Sequence, residues 1–115
     1  PTGAIVSPQV IDAQKCLSYQ TIENKGEIDL VVATKMGNRV YGCDICQQVC
    51  PWNRFAVAHN TPEFAPSSDF LSLTEESIIN MSVEEYQKIF KGSAIKRAKL
   101  SGLKRNITAL RENKK

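Results

Sequence analysis

Four cysteines constrain this chain more than any other feature of its sequence. They are Cys16, Cys43, Cys46 and Cys50, and the last three fall within eight residues as Cys-x2-Cys-x3-Cys followed by Pro51. Thiolates at this spacing on a tight turn point into one small volume, which favours a metal centre over two disulfides. A disulfide framework is typical of small secreted proteins, and nothing in the sequence indicates that context.

The spacing leaves two kinds of metal centre open. In the bacterial ferredoxin run, Cys-x2-Cys-x2-Cys-x3-Cys-Pro, the last cysteine binds the second of two iron–sulfur clusters. Here part of such a run is present, with Cys16 standing 27 residues before Cys43, and the opening Pro1-Thr2-Gly3-Ala4 looks like the tail of another Cys-Pro run. The alternative is a structural zinc site made by the same thiolates, with His59 as a further candidate ligand. Zinc sites favour paired Cys-x2-Cys knuckles, and a lone loop histidine is more often a surface residue.

The composition excludes several classes of protein. Of the 115 residues, 42% are apolar and 23% are charged, which is typical of a soluble globular domain. The longest apolar run, residues 28–33, contains Asp29 and is far shorter than the roughly 18 residues of a membrane span. We therefore expect no membrane association. Because the chain opens on Pro1 without a signal peptide, we expect a piece of a longer product.

The residue pattern predicts a mainly α fold with little strand. We expect a helix from Asp12 to about Asn24, a helical turn over residues 43–50, and Trp52 in the core. Prolines and serines in residues 59–68 indicate a boundary loop. The two predicted units are the second half of a ferredoxin-like iron–sulfur domain at residues 1–60 and a small basic helical unit at residues 61–115.

The second unit carries helix start signals. Ser72 and Ser82 each precede a glutamate by three residues, as in a capping box. A final helix is predicted from about Ser93, broken locally at Gly92 and Gly102.

The net charge of +3 hides a strong asymmetry. Residues 1–90 have a net charge of −5, from six Lys/Arg and eleven Asp/Glu, whereas residues 91–115 have +8, from nine Lys/Arg and one acid. Such a basic tail favours phosphate contacts, and four to six of them predict a slope of log affinity against log salt of about −3 to −5. The alternative is a solvated surface helix. The candidate phosphate contacts are Lys96, Arg97, Lys99, Lys104 and Arg105.

Longer strings around the cysteines resemble the epoxyqueuosine reductase family. They are Met-Gly-Asn-Arg-Val-Tyr-Gly-Cys-Asp-Ile-Cys-Gln-Gln-Val-Cys-Pro-Trp-Asn at residues 36–53, Asp-Ala-Gln-Lys-Cys-Leu-Ser-Tyr at residues 12–19 and Phe-Lys-Gly-Ser-Ala-Ile-Lys-Arg at residues 90–97. The resemblance covers nearly the whole chain, and the cysteine string is highly specific. The chain is similar to the C-terminal part of such an enzyme, beginning directly after the last cysteine of its first run.

The resemblance implies a function and site residues. The family reduces epoxyqueuosine to queuosine at the wobble position of certain tRNAs, using a cobalamin and two 4Fe–4S clusters that supply electrons. The matching residues imply Ser18 and Asp44 as cobalamin contacts, for which helix surface and helix cap are the alternative roles. No catalytic residue is expected in this chain, because the catalytic Asp belongs to an N-terminal cobalamin domain that it lacks. The implied cluster ligands are Cys16, Cys43 and Cys46 for one cluster and Cys50 for the other.

The resemblance also implies partners and a setting. The partners are tRNA, the missing N-terminal cobalamin domain and an electron donor, and the full-length enzyme is expected to be a cytoplasmic monomer. The isolated chain is expected to be inactive. Two alternative functions stay open, a ferredoxin-like electron carrier and a zinc-stabilised nucleic-acid-binding module. A free carrier would normally hold complete cysteine runs and would rarely need a cationic tail.

Overall fold

A short β-hairpin opens the part of the chain that the computed structural model describes, residues 2–114. Strands β1 (Ile5–Ser7) and β2 (Val10–Ile11) are antiparallel, with Ile5 opposite Ile11, and Gln9 makes the turn with a φ of 61°. Their β-branched residues favour this extended conformation. Pro1, in the predicted Cys-Pro tail, and Lys115, in the basic tail, lie outside the described residues.

The predicted helix from Asp12 to Asn24 is two shorter elements. Asp12 does cap a helical turn, since its carboxylate accepts from the Gln14 amide at 3.0 Å, but the turn is a 3₁₀ helix that spans only Ala13–Lys15. Cys16 is extended, with φ −84° and ψ 118°, and therefore interrupts the helix. A π-helix, Tyr19–Glu23, follows. Such π turns are rare and occur frequently at functional sites.

The remaining elements of the first 64 residues are short helical turns joined by loops. They are α1 (Leu30–Ala33), α2 (Ile45–Gln48) and the 3₁₀ turns Pro51–Phe55 and Pro62–Phe64. Asp29 caps α1 by accepting from the Val31 amide at 2.8 Å. The prediction that Trp52 is a core residue is wrong. Its 3₁₀ turn projects from the surface, and the residue is 81% exposed.

The second half of the chain is helical, as predicted. Its elements are α3 (Ser68–Leu71), α4 (Glu75–Ile79), α5 (Val83–Ile89), the 3₁₀ turn Ala94–Ala98 and α6 (Lys99–Asn113). The first predicted capping box is shifted, since Thr74 and Ser77 form the reciprocal pair instead of Ser72 and Glu75. At the second, Ser82 accepts from the Glu85 amide at 3.2 Å.

The final helix differs from its prediction in two ways. A 3₁₀ turn capped by Ser93 comes first, and α6 begins after it at Lys99, whose φ of 62° changes the chain direction. Gly102 lies inside α6 and does not break it. A Cβ added at Gly102 would lie 3.5 Å from the Cβ of Ala98, an ordinary van der Waals contact, so the packing here does not require glycine.

Helix α6 contributes to both hydrophobic clusters of the core. Leu103 packs in a cluster of the second half, and Leu110 packs with residues of the first half. The first 60 residues and the helical second half therefore share α6 as a common core element. The first cluster is Met81, Tyr86, Phe90, Ala98 and Leu103; the second is Leu17, Ala33, Met36 and Leu110.

The prediction of a mainly α fold with little strand is confirmed: within residues 2–114 the sheet has two strands. In the same range, no helix is both long and apolar enough to cross a membrane.

Candidate metal centre and basic groove

Three of the four cysteines line one cavity. Cys16, Cys43 and Cys46 surround a space of about 310 Å³, whereas Cys50 is not among its lining residues. The rest of the wall is mainly aliphatic and includes both strands of the hairpin. The other lining residues are Thr2, Gly3, Ala4, Ile5, Ile11, Leu17, Ile45 and Val49.

Each cysteine of the cavity is held by a different local structure. The Cys16 carbonyl accepts from the Gln20 amide at 3.0 Å, which connects it to the start of the π-helix. Cys43 follows Gly42, whose φ of +76° is disfavoured for residues with a side chain. Cys46 lies in α2 and is exposed, while the other three cysteines are partly buried.

Cys50 lies at the other end of α2. Its amide donates to the Gln47 carbonyl at 3.3 Å, and it is the N-cap of the 3₁₀ turn Pro51–Phe55. Proline at the next position ends the hydrogen-bonded turn, because it lacks an N–H. The cavity lining on this side ends at Val49, and Cys50 is not part of it.

A single zinc ion and a 4Fe–4S cluster require different arrangements of thiols. Within residues 2–114, no group of three or more His, Cys, Asp or Glu side chains is placed to hold one metal ion. A structural zinc ion needs four ligands around one atom, each thiolate at about 2.3 Å. A 4Fe–4S cluster distributes its four thiolates over separate iron atoms, so that its ligands stand further apart around an enclosed volume. His59 does not line the cavity. Its ring packs edge-on against Phe64, with the ring centroids 5.5 Å apart, and its Nδ1 accepts from the Thr61 amide.

The two predicted cobalamin contacts lie beside cluster-ligand candidates. Ser18 precedes the π-helix and Asp44 precedes α2, each at the N-cap position. Neither side chain makes a capping hydrogen bond, so the alternative role of Asp44 as a helix cap is not observed. Neither residue lines the cavity.

The five predicted phosphate contacts separate into two groups. Lys96, Lys99 and Lys104 line a groove of about 600 Å³ at the junction of the 3₁₀ turn and α6. Lys104 also donates to the Met81 carbonyl at 3.0 Å. The two arginines instead bond within the protein. Arg97 pairs with Glu23 at 2.6 Å and remains largely exposed.

Arg105 points inward. Its guanidinium donates to the carbonyls of Asn24 at 2.5 Å, Gly26 at 2.7 Å and Gln20 at 2.9 Å, and to the Asn106 side chain. Burial lowers the pKa of Arg105 from its ordinary value. The Gln20 carbonyl lies within the π-helix, and those of Asn24 and Gly26 follow its end, where the last carbonyls of a helix lack partners in the helix itself.

Sequence reasoning did not find two parts of this site. The hairpin at residues 5–11 forms a wall of the cavity, but its short apolar stretch carried no signal of that role. The buried pair Thr21 and Asn106, both fully buried, joins α6 to the cysteine segments. Their contact spans 85 residues of sequence, which no local pattern reports.

Comparisons with known proteins agree with this geometry. A family model described as a 4Fe–4S double cluster binding domain matches residues 1–53. A curated relative from Cellulophaga algicola, named epoxyqueuosine reductase, is 49% identical over 111 residues, covering 96% of this chain and 36% of the relative. One from Escherichia coli with the same name is 43% identical over 97 residues, covering 84% of this chain and 26% of the relative.

Solved structures give the same result. An epoxyqueuosine reductase with a tRNA-Tyr epoxyqueuosine-modified stem loop superposes with a TM-score of 0.84 at 34% identity, covering 96% of this chain and 29% of that one. The enzyme from Streptococcus thermophilus has a TM-score of 0.83 at 26% identity, with 98% and 29% covered. The chain thus spans about a third of the length of its first curated relatives. By sequence and by structure it belongs to the epoxyqueuosine reductase family.

Proposed function

We propose that this chain is the C-terminal, iron–sulfur part of an enzyme that reduces epoxyqueuosine to queuosine in tRNA. The observation that carries the proposal is the shared cavity of Cys16, Cys43 and Cys46, with Cys50 outside it, in a chain whose relatives are named for this activity. Cys16, Cys43 and Cys46 hold one 4Fe–4S cluster and Cys50 contributes to a second. Two clusters held by cysteines need eight thiolates, and the chain has four, so the remaining ligands come from outside it.

The cavity fits the chemistry of such a cluster. Its aliphatic lining, from Ile5, Ile11 and Leu17 among others, gives the thiolates an apolar wall on one side, while Cys46 itself is exposed. Solvent exclusion and hydrogen bonds to sulfur set the reduction potential of an iron–sulfur centre. When bound, the clusters supply single electrons to the cobalamin, and the protein's own role is to hold the thiolates.

Cluster binding is tested by cysteine variants of the full-length protein after anaerobic reconstitution with iron and sulfide. Cys16→Ser and Cys50→Ser should each lower the iron content by about half, because each removes a ligand of a different cluster. The double variant should lose the visible absorption of both clusters. Ser68→Ala, at an exposed position in α3 that has no role in the proposed site, serves as the control. A colourless wild-type protein that contains zinc would contradict the proposal.

We propose that Ser18 and Asp44 contact the cobalamin. Both flank cluster-ligand candidates, and their side-chain oxygens are not used in capping. Asp44→Asn keeps the shape and removes the charge, so it should weaken cobalamin binding to the full-length protein without lowering iron content. Asp69→Asn, at an exposed position in α3, is the matched control.

We propose that the groove lined by Lys96, Lys99 and Lys104 contacts tRNA phosphates. The groove gathers three cations on one surface, and a related structure contains a tRNA stem loop. Replacing Lys96 and Lys99 with Gln should reduce the slope of log affinity against log salt by about 1.5, since each phosphate contact contributes about 0.7 to 0.9.

The matched control for the tRNA experiment removes the same charge elsewhere. Lys15 and Lys35 line a different cavity, in the first half of the chain. Their double change to Gln should lower the affinity only slightly and leave the slope nearly unchanged. Equal effects of the two double variants would show that net charge, and not the groove, determines tRNA binding.

We propose that the missing N-terminal cobalamin domain covers an apolar surface beside the cysteines. Val49, Trp52, Phe55 and Val57 are 65–87% exposed and follow closely in sequence. Contiguous exposed apolar surface is typical of an interface. In the same proposal, the full-length enzyme is a cytoplasmic monomer that takes electrons from a separate donor.

A further inference from the structure

The buried polar side chains lie together between α6 and the cysteine segments. Within residues 2–114 they are Gln20, Thr21 and Asn106, each at most 3% exposed. Burying a polar group costs free energy unless it is hydrogen-bonded. Every buried side-chain nitrogen and oxygen in this range has a partner, so the network is complete. A fully satisfied polar network fixes one arrangement of the segments that it joins.

Thr21 connects the segments that carry two of the cavity's cysteines. Its hydroxyl donates to the carbonyl of Leu17 at 2.8 Å, and Leu17 directly follows Cys16. The same oxygen accepts from the amide of Gly42 at 2.9 Å, and Gly42 directly precedes Cys43. One hydroxyl therefore bonds the neighbours of two cysteines that are far apart in sequence.

Asn106 holds this junction from the side of α6. Its amide nitrogen donates to the Thr21 carbonyl at 2.9 Å and to the Val40 carbonyl at 2.7 Å. Its oxygen accepts from Arg105, which is itself bonded to the carbonyl of Gln20. Hydrogen bonds thus fix both the π-helix and the segment before Gly42 to α6. These bonds are directional, which apolar packing is not.

We propose that Thr21 and Asn106 are positioning residues for the iron–sulfur centre: they hold the backbones beside Cys16 and Cys43 at the separation at which both thiolates reach one cluster. The inference rests on the proposed function, because it takes these cysteines as ligands of the same cluster. Groups behind the ligands of a metal centre orient those ligands, and their removal typically weakens metal binding 10- to 100-fold.

The test compares threonine variants in the full-length protein after anaerobic reconstitution. Thr21→Val keeps the shape but leaves the Gly42 amide without its acceptor. Thr108→Val is the matched control, since Thr108 makes the same kind of bond to a carbonyl four residues earlier, at 2.9 Å, on the exposed face of α6. Thr21→Ser restores the hydroxyl. The readouts are the rate of iron release to a chelator and the midpoint potential of each cluster.

We expect Thr21→Val to release the iron of one cluster about tenfold faster and to shift that cluster's potential. The cluster bound through Cys50 should be unaffected, and Thr21→Ser and Thr108→Val should behave as the wild type. Ile107→Val controls for stability, because Ile107 is fully buried in α6 next to Asn106 and the change removes a methyl group but no side-chain hydrogen bond. If Thr21→Val does not fold, Asn106→Ser replaces it in the same comparison.

The outcomes separate the two proposals. A wild-type protein without iron–sulfur clusters would overturn the proposed function itself. If the wild type holds both clusters and Thr21→Val matches Thr108→Val in iron release and potential, the positioning role is refuted. It is also refuted if Ile107→Val changes both readouts as much as Thr21→Val, since the effect would then be one of general stability.

Discussion

Replacing Arg105 with lysine keeps a positive charge on α6 but removes the forked geometry that the fold uses. The guanidinium bonds three main-chain carbonyls, those of Gln20, Asn24 and Gly26, at 2.5 to 2.9 Å. A lysine ammonium has its donors on a single atom and does not reproduce a planar fork. If Arg105 were mainly a phosphate contact, lysine would be an acceptable replacement. If Arg105 mainly anchors the π-helix, lysine is a poor replacement, because it cannot bond the same carbonyls.

The expected cost of Arg105→Lys follows from the burial of its partners. A hydrogen bond to a charged group contributes about 1.5 to 3 kcal/mol net. Water can replace the bond at Gly26, which is exposed, but not at Gln20, which is buried. Counting one lost buried bond, we expect a loss of about 2 kcal/mol in the free energy of unfolding. For a domain of this size that is a fall in melting temperature of roughly 6 to 10 °C.

Urea unfolding of the 115-residue chain, followed by circular dichroism, measures this loss. Arg97→Lys is the matched control, because Arg97 is 68% exposed in its pair with Glu23 and such pairs contribute about 1 kcal/mol or less. Binding of a tRNA stem loop to the full-length variants gives the second measurement. Unchanged stability of Arg105→Lys, together with weaker tRNA binding, would refute the assignment of Arg105 to the framework.

Three further changes test other parts of the fold. Hydrogen bonding to Lys114 lowers the pKa of Glu75, so Glu75→Gln should be less stable than the wild type at neutral pH. Urea titrations should show that this difference in stability begins to shrink below about pH 4.3, the ordinary pKa of Glu, and is lost as the pH falls through the lowered pKa of the folded state. The single Trp52 of the isolated chain should be quenched by acrylamide almost as efficiently as free tryptophan, and a protected indole would contradict its 81% exposure. Ile107→Ala should cost about 2 to 4 kcal/mol in urea unfolding, whereas Leu30→Ala, at a 68% exposed position, should cost well under 1 kcal/mol.

The sequence was most informative where the signal is local. The spacing of Cys43, Cys46 and Cys50 indicated a metal centre, because three thiols in eight residues have few other uses. The spacing alone did not show that Cys16, Cys43 and Cys46 belong to one cluster and Cys50 to another. The family resemblance implied that division. The structure puts Cys16, Cys43 and Cys46 around one cavity that Cys50 does not line, and the assignment of these cysteines to two clusters stays a prediction.

Sequence reasoning failed where the determining contact is distant. Trp52 was expected in the core because large aromatic residues are usually buried, but it is 81% exposed. The helix predicted from Asp12 is interrupted at Cys16, whose backbone is extended. The π-helix that follows is hydrogen-bonded by Arg105 and Asn106, which lie in α6. Helix propensity describes the conformation that a segment prefers alone. It carries no information about hydrogen bonds to residues 85 positions further along the chain, such as those made here by Arg105 and Asn106.

In the basic tail, arginines and lysines have different roles, which a count of charges does not distinguish. Each of its three arginines bonds within the protein: Arg97 to Glu23, Arg105 to backbone carbonyls and Arg111 to Glu75 and Glu76. An arginine fork satisfies several acceptors at once, which suits anchoring. Of the groove lysines, Lys104 also donates to the Met81 carbonyl, whereas Lys96 and Lys99 have no such bond among the described residues and can face a ligand. With two or three phosphate contacts in place of four to six, the slope of log affinity against log salt should be about −2, and a slope near −5 would show that the arginines leave their partners to bind tRNA.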